Sequence, residues 1–251
     1  MHQSPGPSRP NTALLCWFAY GVVCLWLALA LSWRLLATFD YAYSFWYQVL
    51  DIEAHIEQYA AENVEKPGFG QLPPEQHHRA FAQIREAVHD GGRGLSQITY
   101  PGPDGESVTM LHSEEIAHLR DVADLFELGF RITVLMALAW LPLALAVAVL
   151  GRPLMAWRLA AAGAPLLTVL VWLLVAGPTE VFYTLHEWLF PPENPWFFYW
   201  EESLMSTLMK APVLFGGIAA ILAPAAILLT PLLYLAGLAL AQPRGRGAGP
   251  Q

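Results

Sequence analysis

Acidic residues are missing from most of this chain. All 21 Asp and Glu residues fall in two windows, 40–127 and 180–202, and every charge outside those windows is basic. Long uncharged apolar runs flank and separate the windows. This segregation is typical of a polytopic membrane protein whose acidic segments face one side. Because the net charge of −8 is confined to those segments, it does not indicate an acidic partner, and we predict no nucleic-acid partner.

Cysteines and several catalytic motifs are also scarce. Cys16 and Cys24 are the only cysteines, and both lie in the first apolar run, about 12 Å apart if that run is helical. That separation is too long for a disulfide. Because the outer segments contain no cysteine, a thiol–disulfide oxidoreductase is not predicted. The chain has no Gly-x-Ser-x-Gly and no His-Glu-x-x-His motif. The cores of the apolar runs contain no Asp, Glu, Lys, Arg or His, some of which a proton or ion transporter normally needs there.

Four apolar runs approach or exceed the roughly 20 residues that cross a bilayer. Together with a hydrophobic content of 55%, they predict an α-helical polytopic membrane protein with four transmembrane helices. A small α+β extracytoplasmic domain is predicted between spans one and two, and an aromatic-rich outer loop between spans three and four. The predicted segments are a disordered N-terminus (1–10), the spans (11–36, 129–151, 159–177 and 211–241), the outer domain (37–128), a cytoplasmic loop (152–158), the aromatic loop (178–210) and a disordered tail (242–251).

Basic residues set the predicted orientation. Arg152 and Arg158 lie between spans two and three, and Arg244 and Arg246 follow span four. Positively charged loops are retained in the cytoplasm, so we place both segments there. An even number of spans then puts both termini in the cytoplasm. The protein is predicted to be a multi-pass protein of the cell (inner or cytoplasmic) membrane, with its chemistry at the extracytoplasmic face.

The first outer segment shows signals for two helices and a hairpin. Pro73-Pro74 and a later Gly91-Gly92 predict a helix over 75–89. A Pro-Gly-Pro-Asp-Gly turn then predicts a hairpin between strands at 95–100 and 106–111. Ser113 is the predicted cap of a further helix over 113–128, ending before Gly129.

The helix over 113–128 places His118 and Asp121 at i,i+3 spacing, so their side chains can meet. A carboxylate beside a histidine fixes its tautomer and raises its basicity, as in a general base. The alternative is an exposed helical histidine beside a solvated aspartate. In the second outer segment, His186 and Glu187 stand among many aromatic residues. An aromatic belt at the membrane interface explains most of those rings, but not the histidine.

Both histidine motifs resemble those of the bacterial lipoprotein intramolecular transacylase family. The first is Glu115-Ile-Ala-His118-Leu-Arg-Asp121-Val, just before the second span. The second is His186-Glu-Trp-Leu-Phe190, followed by Trp196-Phe-Phe and by Glu202-Ser-Leu-Met. The last of these replaces the Asp-Thr-Leu-Ile of the family pattern. Motif order and the four-span layout extend the resemblance over nearly the whole chain.

The resemblance implies an acyltransferase that needs no cofactor and no metal. Its expected partners are diacylglyceryl-modified lipoproteins and membrane lipids. It is expected to move the sn-2 acyl chain of the lipoprotein onto the N-terminal α-amine, which gives an N-acyl, S-monoacylglyceryl product. The expected catalytic residues are His118 and His186 as an acid/base dyad, with Asp121 orienting His118. Substrate-binding or oxyanion roles are expected for Asn194, Tyr183, Trp196 and Glu187.

Elementary chemistry is consistent with this expectation. An α-amine with a pKa near 8 must lose a proton before it attacks an ester, and a histidine can accept it. Two other classes remain open from the residues alone. One is a non-catalytic membrane scaffold or sensor that binds a partner through the outer domain. The other is a membrane lipid hydrolase, including a zinc enzyme built from His118 with His77, His78, His89 and His112.

Overall fold

The computed structural model describes residues 10–150 and 154–242, and the chain is mostly helical (75%). Arg152, Arg244, Arg246 and most of the two predicted tails lie outside the described residues. Single 3₁₀ turns occur at Asp40–Ala42, Phe69–Gln71 and Leu95–Gln97. The helices and strands are α1 (Pro10–Ala37), α2 (Tyr43–Val49), α3 (Ile52–Ala60), α4 (Pro74–His89), β1 (Thr99–Pro101), β2 (Ser107–Thr109), α5 (Ser113–Val149), α6 (Met155–Ala176), α7 (Pro178–Leu189), α8 (Leu204–Leu208) and α9 (Val213–Ala241).

Three helices in the described residues are long and apolar enough to cross a membrane: Thr12–Ala37 of α1, α5 and α9. The stretch Gly163–Ala176 of α6 qualifies only together with α7, from which it is bent by 113°. The bend falls at Gly177, whose φ of 85° lies in the left-handed region that favours glycine. The predicted membrane character is confirmed, with three candidate spans among the described residues, or four if the bent pair is one span, so the four-span layout stays a prediction.

The chain divides into two compact units. One consists of residues 1–32, 131–171 and 223–251, and we call it the apolar unit. The other consists of residues 33–130 and 172–222. All 21 acidic residues belong to this second unit, which we call the acidic unit. The two acidic windows of the sequence therefore fold together.

The apolar unit has an aromatic core around Tyr20. The Tyr20 hydroxyl donates a 2.7 Å hydrogen bond to the backbone carbonyl of Tyr234, and the two rings are 5.0 Å apart. A Cβ on Gly237 would lie 2.3 Å from the Tyr20 hydroxyl oxygen, so this close approach requires glycine. Trp26 Nε1 donates to the Thr133 hydroxyl at 3.0 Å. These bonds give the Tyr20 hydroxyl and the Trp26 indole N–H partners within the protein.

The acidic unit is built around α4, which confirms the helix predicted over 75–89. Phe81 of α4 stacks on Tyr43 of α2 with ring centroids 4.0 Å apart. The Tyr43 hydroxyl donates to the backbone carbonyl of Leu208 at 2.8 Å, which fastens α8 to the same core. His77 is buried and bridges two groups: its Nδ1 is 2.8 Å from the Tyr47 hydroxyl and its Nε2 is 3.0 Å from the Phe69 carbonyl oxygen.

The predicted hairpin is present but shorter than expected. β1 and β2 pair antiparallel, with Tyr100 opposite Val108, around the predicted turn. The residues Leu95–Gln97 form a 3₁₀ turn instead of extending the first strand. Gly94, with a φ of 84°, starts this turn and gives the chain a different direction from that of a strand.

Helix α5 does not end near Leu128, as the sequence analysis predicted, but continues through Gly129 to Val149. A glycine inside a helix costs only about 1 kcal/mol, less than breaking the backbone hydrogen bonds where an apolar run begins. A helix of 37 residues is about 56 Å long, much more than the roughly 30 Å of a bilayer core. A bilayer would therefore accommodate only part of α5, and the boundary predicted near Leu128 stays a prediction.

The start of α5 is capped differently from the prediction. The Ser113 hydroxyl donates to the Glu114 carboxylate at 3.0 Å rather than accepting from a backbone N–H. Glu115 supplies the capping contact instead, because its carboxylate accepts from the backbone N–H of His112 at 2.5 Å. A glutamate three residues into a helix that bonds back to the cap residue is half of a capping box. The predicted Ser113 cap is therefore wrong, although the helix begins where predicted.

Candidate active site

Two histidines far apart in the sequence lie side by side in the acidic unit. His118 stands on the charged first half of α5, and His186 on α7, beyond the bend at Gly177. Their ring centroids are 6.1 Å apart, with 33° between the ring planes. The two predicted catalytic histidines are thus brought together by separate elements.

His186 has a defined tautomer. Its Nδ1 lies 2.8 Å from the backbone carbonyl oxygen of Phe182, one helical turn earlier. A carbonyl can only accept, so Nδ1 carries the proton and Nε2 of the neutral ring has a free lone pair. Burial lowers the pKa of His186, and the bond to Phe182 opposes that shift. The ring is therefore neutral at pH 7, with Nε2 able to accept a proton.

His118 is more deeply enclosed. Its side chain packs against Phe190 and Phe198, with ring centroids 4.8 and 6.0 Å away. Only 7% of the residue is exposed, so the alternative of an exposed helical histidine is wrong. Nδ1 is buried and has no hydrogen-bond partner among the described residues. The pKa of His118 is lowered to about 4, mainly by burial and further by the neighbouring His186. The charge of Asp121 opposes this shift.

Asp121 does not orient His118 through a hydrogen bond. Its Oδ2 instead accepts a 2.7 Å hydrogen bond from the side-chain amide of Asn194, in the segment after α7. The i,i+3 spacing allows contact with His118, but that ring turns into the aromatic cluster instead. No hydrogen bond joins Asp121 to His118 among the described residues, and the charge of Asp121 opposes the lowering of the His118 pKa, so its orienting role stays a prediction. Asn194 retains one amide hydrogen for another acceptor.

Aromatic rings enclose the histidine pair. Phe182 and Trp196 lie 3.9 and 5.0 Å from the His186 ring, and Tyr183 lies 5.7 Å from Trp196. Phe182, Tyr183 and Trp196 also line a cavity of about 350 Å³, whose other walls are formed by residues 197–201, Ser206, Ala211 and Pro212. Electrostatic interactions become stronger where such apolar walls keep water away from them.

Glu115 is a buried residue of this region that the sequence reasoning did not select as a site residue. It is only 1% exposed and lies one helical turn before His118. Its carboxylate accepts from the hydroxyl of Ser203, and that hydroxyl in turn accepts from the backbone N–H of Ser206 at the start of α8. Burial raises the pKa of Glu115, and the bond from Ser203 opposes that shift. Its position three residues after the cap residue was the available sequence signal.

Other candidate residues lie outside the cluster. Glu187 is exposed, and no hydrogen bond or ion pair joins it to a described residue. His77 bonds to Tyr47 and the Phe69 carbonyl, and His89 lies 2.6 Å from the Tyr41 hydroxyl. Within residues 10–150 and 154–242, no three His, Cys, Asp or Glu side chains are grouped so that they could hold a metal ion. The histidines of the zinc alternative do not converge there.

Comparison with known proteins identifies the family. Residues 18–210, more than half of the chain, match the family described as lipoprotein intramolecular transacylase Lit. Neither the curated proteins nor the solved structures gave a match. The matched segment includes His118, His186 and the aromatic residues around them. The chain is a membrane protein that belongs to the lipoprotein intramolecular transacylase family.

Proposed function

We propose that this protein transfers the sn-2 acyl chain of a diacylglyceryl-cysteine lipoprotein to the α-amine of the same cysteine, with His118 and His186 as the acid/base pair. The observation that carries the proposal is the pairing of two enclosed, neutral imidazoles with centroids 6.1 Å apart. Neutral rings are required, because a protonated imidazole cannot accept a proton from the amine. Family membership supplies the substrate class.

The reaction forms a C–N bond and breaks the sn-2 C–O bond. When the neutral amine adds to the ester carbonyl, its nitrogen becomes positively charged and strongly acidic. His186 accepts that proton at Nε2, the nitrogen left free by the bond from Nδ1 to Phe182. The same proton then passes to the leaving sn-2 oxygen as the tetrahedral intermediate collapses. The neutral His118 ring donates its own N–H to the oxygen that carries the developing charge.

No acyl-enzyme is needed in this scheme. Amine and ester belong to one lipid headgroup, so their effective concentration is that of an intramolecular reaction. The free amide hydrogen of Asn194 and the Tyr183 hydroxyl are the proposed donors to the tetrahedral oxyanion. Trp196, whose ring centroid lies 5.0 Å from that of His186, holds the headgroup against the dyad.

The reacting headgroup is expected at the outer leaflet of the cytoplasmic membrane, with both termini of the enzyme in the cytoplasm. Helix α7 supports an interfacial position for the site. Trp188 and Leu189 are 71% and 50% exposed, whereas His186 of the same helix faces the aromatic cluster. Such an amphipathic helix fits the lipid–water boundary, with its apolar side chains toward the acyl chains.

The proposal is tested by expressing the protein in a bacterial host that lacks other N-acylating enzymes. Mass spectrometry of the N-terminal peptide of a reporter lipoprotein is expected to show N-acyl, S-monoacylglyceryl cysteine. His118→Ala and His186→Ala are each expected to leave the diacylglyceryl form with a free amine. Removing a general acid/base commonly costs 10²–10⁴-fold in rate.

His112→Ala is the matched control, because this histidine lies six residues before His118 and has no ring contact with the cluster. It is expected to retain the modification. Release of free fatty acid without N-acylation would instead identify a lipid hydrolase. An unmodified lipoprotein in all samples, with the enzyme folded in the membrane, would contradict the proposed activity.

A further inference from the structure

The cavity beside the histidine pair has an unusual combination of walls. Aromatic rings form most of its lining, including Trp196, Phe198, Tyr199 and Trp200. Among the described residues that line it, Glu201 is the only charged one. A partly buried carboxylate surrounded by rings is not needed for holding an acyl chain, since it would be an obstacle to apolar contact.

The charge of Glu201 is not neutralised by the protein around it. Within the described chain, no hydrogen bond or ion pair occupies its carboxylate. His55 feels its charge, but burial keeps that ring neutral by lowering its pKa to about 4. Lys210 is directed to backbone carbonyls, 2.6 Å from the oxygen of Leu50 and 3.5 Å from that of Asp51. Glu201 therefore offers an unpaired negative charge to whatever enters the cavity.

A carboxylate and aromatic rings that line one cavity are together complementary to an organic ammonium group. The face of an aromatic ring carries partial negative charge and attracts a cation within about 6 Å of its centre. Tryptophan gives the strongest such attraction, and the cavity has two. A carboxylate adds a charge-assisted hydrogen bond for each N–H of the ammonium group that reaches it. Both contributions are larger where water is excluded.

We propose that this cavity is an ammonium-binding site, in which Glu201 and the rings of Trp196 and Trp200 hold the protonated N-terminal α-amine of the lipoprotein substrate. The identity of the cation rests on the proposed function. Its location fits, because Trp196 lines the cavity and also contacts His186 at 5.0 Å. Once it leaves the cavity, the ammonium group loses its first proton to bulk water, and the neutral nitrogen then reaches the ester beside His186.

This site would discriminate between substrate and product. The substrate nitrogen is cationic at neutral pH, since an α-amine has a pKa near 8. After acyl transfer the nitrogen is a neutral amide and gains nothing from Glu201. The charge of Glu201 thus favours binding of free-amine lipoproteins and release of the N-acylated product.

The test uses a lipopeptide whose glycerol carries ether-linked chains, so that it binds but cannot be turned over. Its affinity for the full-length protein in phosphatidylglycerol nanodiscs is compared with that of the N-acetylated version. The wild type is expected to bind the free amine at least about tenfold more tightly, in line with a hydrogen bond between charged groups. Glu201→Gln is expected to abolish that preference, and Glu201→Asp to retain part of it.

Glu202→Gln is the control, because Glu202 is the adjacent carboxylate, is exposed and does not line the cavity. It is expected to keep the full preference. Equal binding of the two lipopeptides to the wild type would overturn the proposal, and so would an unchanged preference in Glu201→Gln.

Nanodiscs that contain phosphatidylethanolamine separate the two sources of an ammonium group. If this lipid displaces the lipopeptide in a Glu201-dependent manner, the cavity binds a lipid headgroup and the substrate assignment is overturned. If the wild type prefers the free amine yet transfers no acyl chain from an ester-linked lipopeptide, the proposed function fails while the ammonium site stands.

Discussion

The side-chain amide of Asn194 donates a 2.7 Å hydrogen bond to the carboxylate of Asp121, and this bond joins the segment after α7 to the helix that carries His118. Phe190 and Trp196, on either side of Asn194 in the sequence, contact His118 and His186 respectively. The bond therefore holds the aromatic enclosure in place around the histidine pair. We propose that Asp121 acts on the site through this contact rather than through a bond to His118.

An exchange of the two groups tests this role. Asn194→Asp places two carboxylates face to face, and Asp121→Asn removes the charge from the pair. Each variant is expected to lower the rate of acyl transfer by about 10- to 100-fold, the equivalent of losing a hydrogen bond to a charged group. The double variant restores an amide–carboxylate pair in the opposite sense and is expected to recover most of the lost activity. A double variant no more active than either single variant would show that the contact does not act as a unit.

The bond between Ser203 and Glu115 is expected to matter for stability. The Ser203 hydroxyl serves the buried Glu115 carboxylate and caps α8. Ser203→Ala removes both contacts and is expected to cost about 1–3 kcal/mol, from a lost cap and an unsatisfied buried acceptor. Ser203→Thr keeps the hydroxyl and serves as the control. Denaturant unfolding in detergent measures the difference, and equal stability of wild type and Ser203→Ala would contradict this role.

His55 is expected to make the fold sensitive to acid. Its ring is buried against Tyr59 and Trp200, and burial, with Lys210 nearby, lowers its pKa to about 4. The unfolded chain takes up a proton near pH 6.5, whereas the folded chain resists it until about pH 4. More protons are bound in the unfolded state between these values, so stability falls as pH decreases through this window.

His55→Phe removes the titrating imidazole and keeps an aromatic ring at this position. The substitution breaks no hydrogen bond of Nε2, because this buried atom has no hydrogen-bond partner among the described residues. The variant is expected to show a smaller drop in thermal midpoint between pH 7 and pH 5 than the wild type. For Tyr59→Phe, a variant in the same cluster, the thermal midpoint is expected to fall between pH 7 and pH 5 by as much as in the wild type. Identical acid sensitivity of His55→Phe and wild type would contradict the assignment.

The proposed orientation is tested by cysteine labelling in a Cys16→Ser/Cys24→Ser background. Asp104 lies in the exposed hairpin turn of the acidic unit, and Leu154 is exposed just before α6. A membrane-impermeant maleimide is expected to label Asp104→Cys on intact spheroplasts, and Leu154→Cys only after permeabilisation. The reverse pattern would invert the proposed topology.

Local signals in the sequence predicted the elements that depend on neighbouring residues. The prolines and glycines around α4 and the turn before β2 fixed their positions because such residues restrict the backbone locally. Continuity of α5 through Gly129 was not predictable from the glycine alone, since the start of the apolar run outweighs its weak helix propensity. The bend at Gly177 was missed for a related reason, because length and hydropathy do not report the direction of a helix.

Within the site, the sequence identified His118 and His186 as candidates but could not place their rings together. Their contact depends on α7 turning back at Gly177, a tertiary feature with no local signature. The i,i+3 rule offered Asp121 as a partner of His118, but a residue 73 positions away, Asn194, competes for that carboxylate. The sequence did not distinguish Glu201 from the other acidic residues of the loop, because the cavity that it lines is formed by several separate segments.

The most direct test of the central claim follows the acyl chain itself. Purified protein is given a diacylglyceryl lipopeptide with a ¹³C-labelled sn-2 chain and a heavy peptide, mixed with an equal amount of the unlabelled compound. Intramolecular transfer predicts that the ¹³C acyl chain is found only on the heavy peptide. The His118→Ala and His186→Ala variants are expected to form no N-acylated peptide, heavy or light. Label scrambled between the two peptides, or labelled fatty acid released with no N-acylated peptide, would contradict the account.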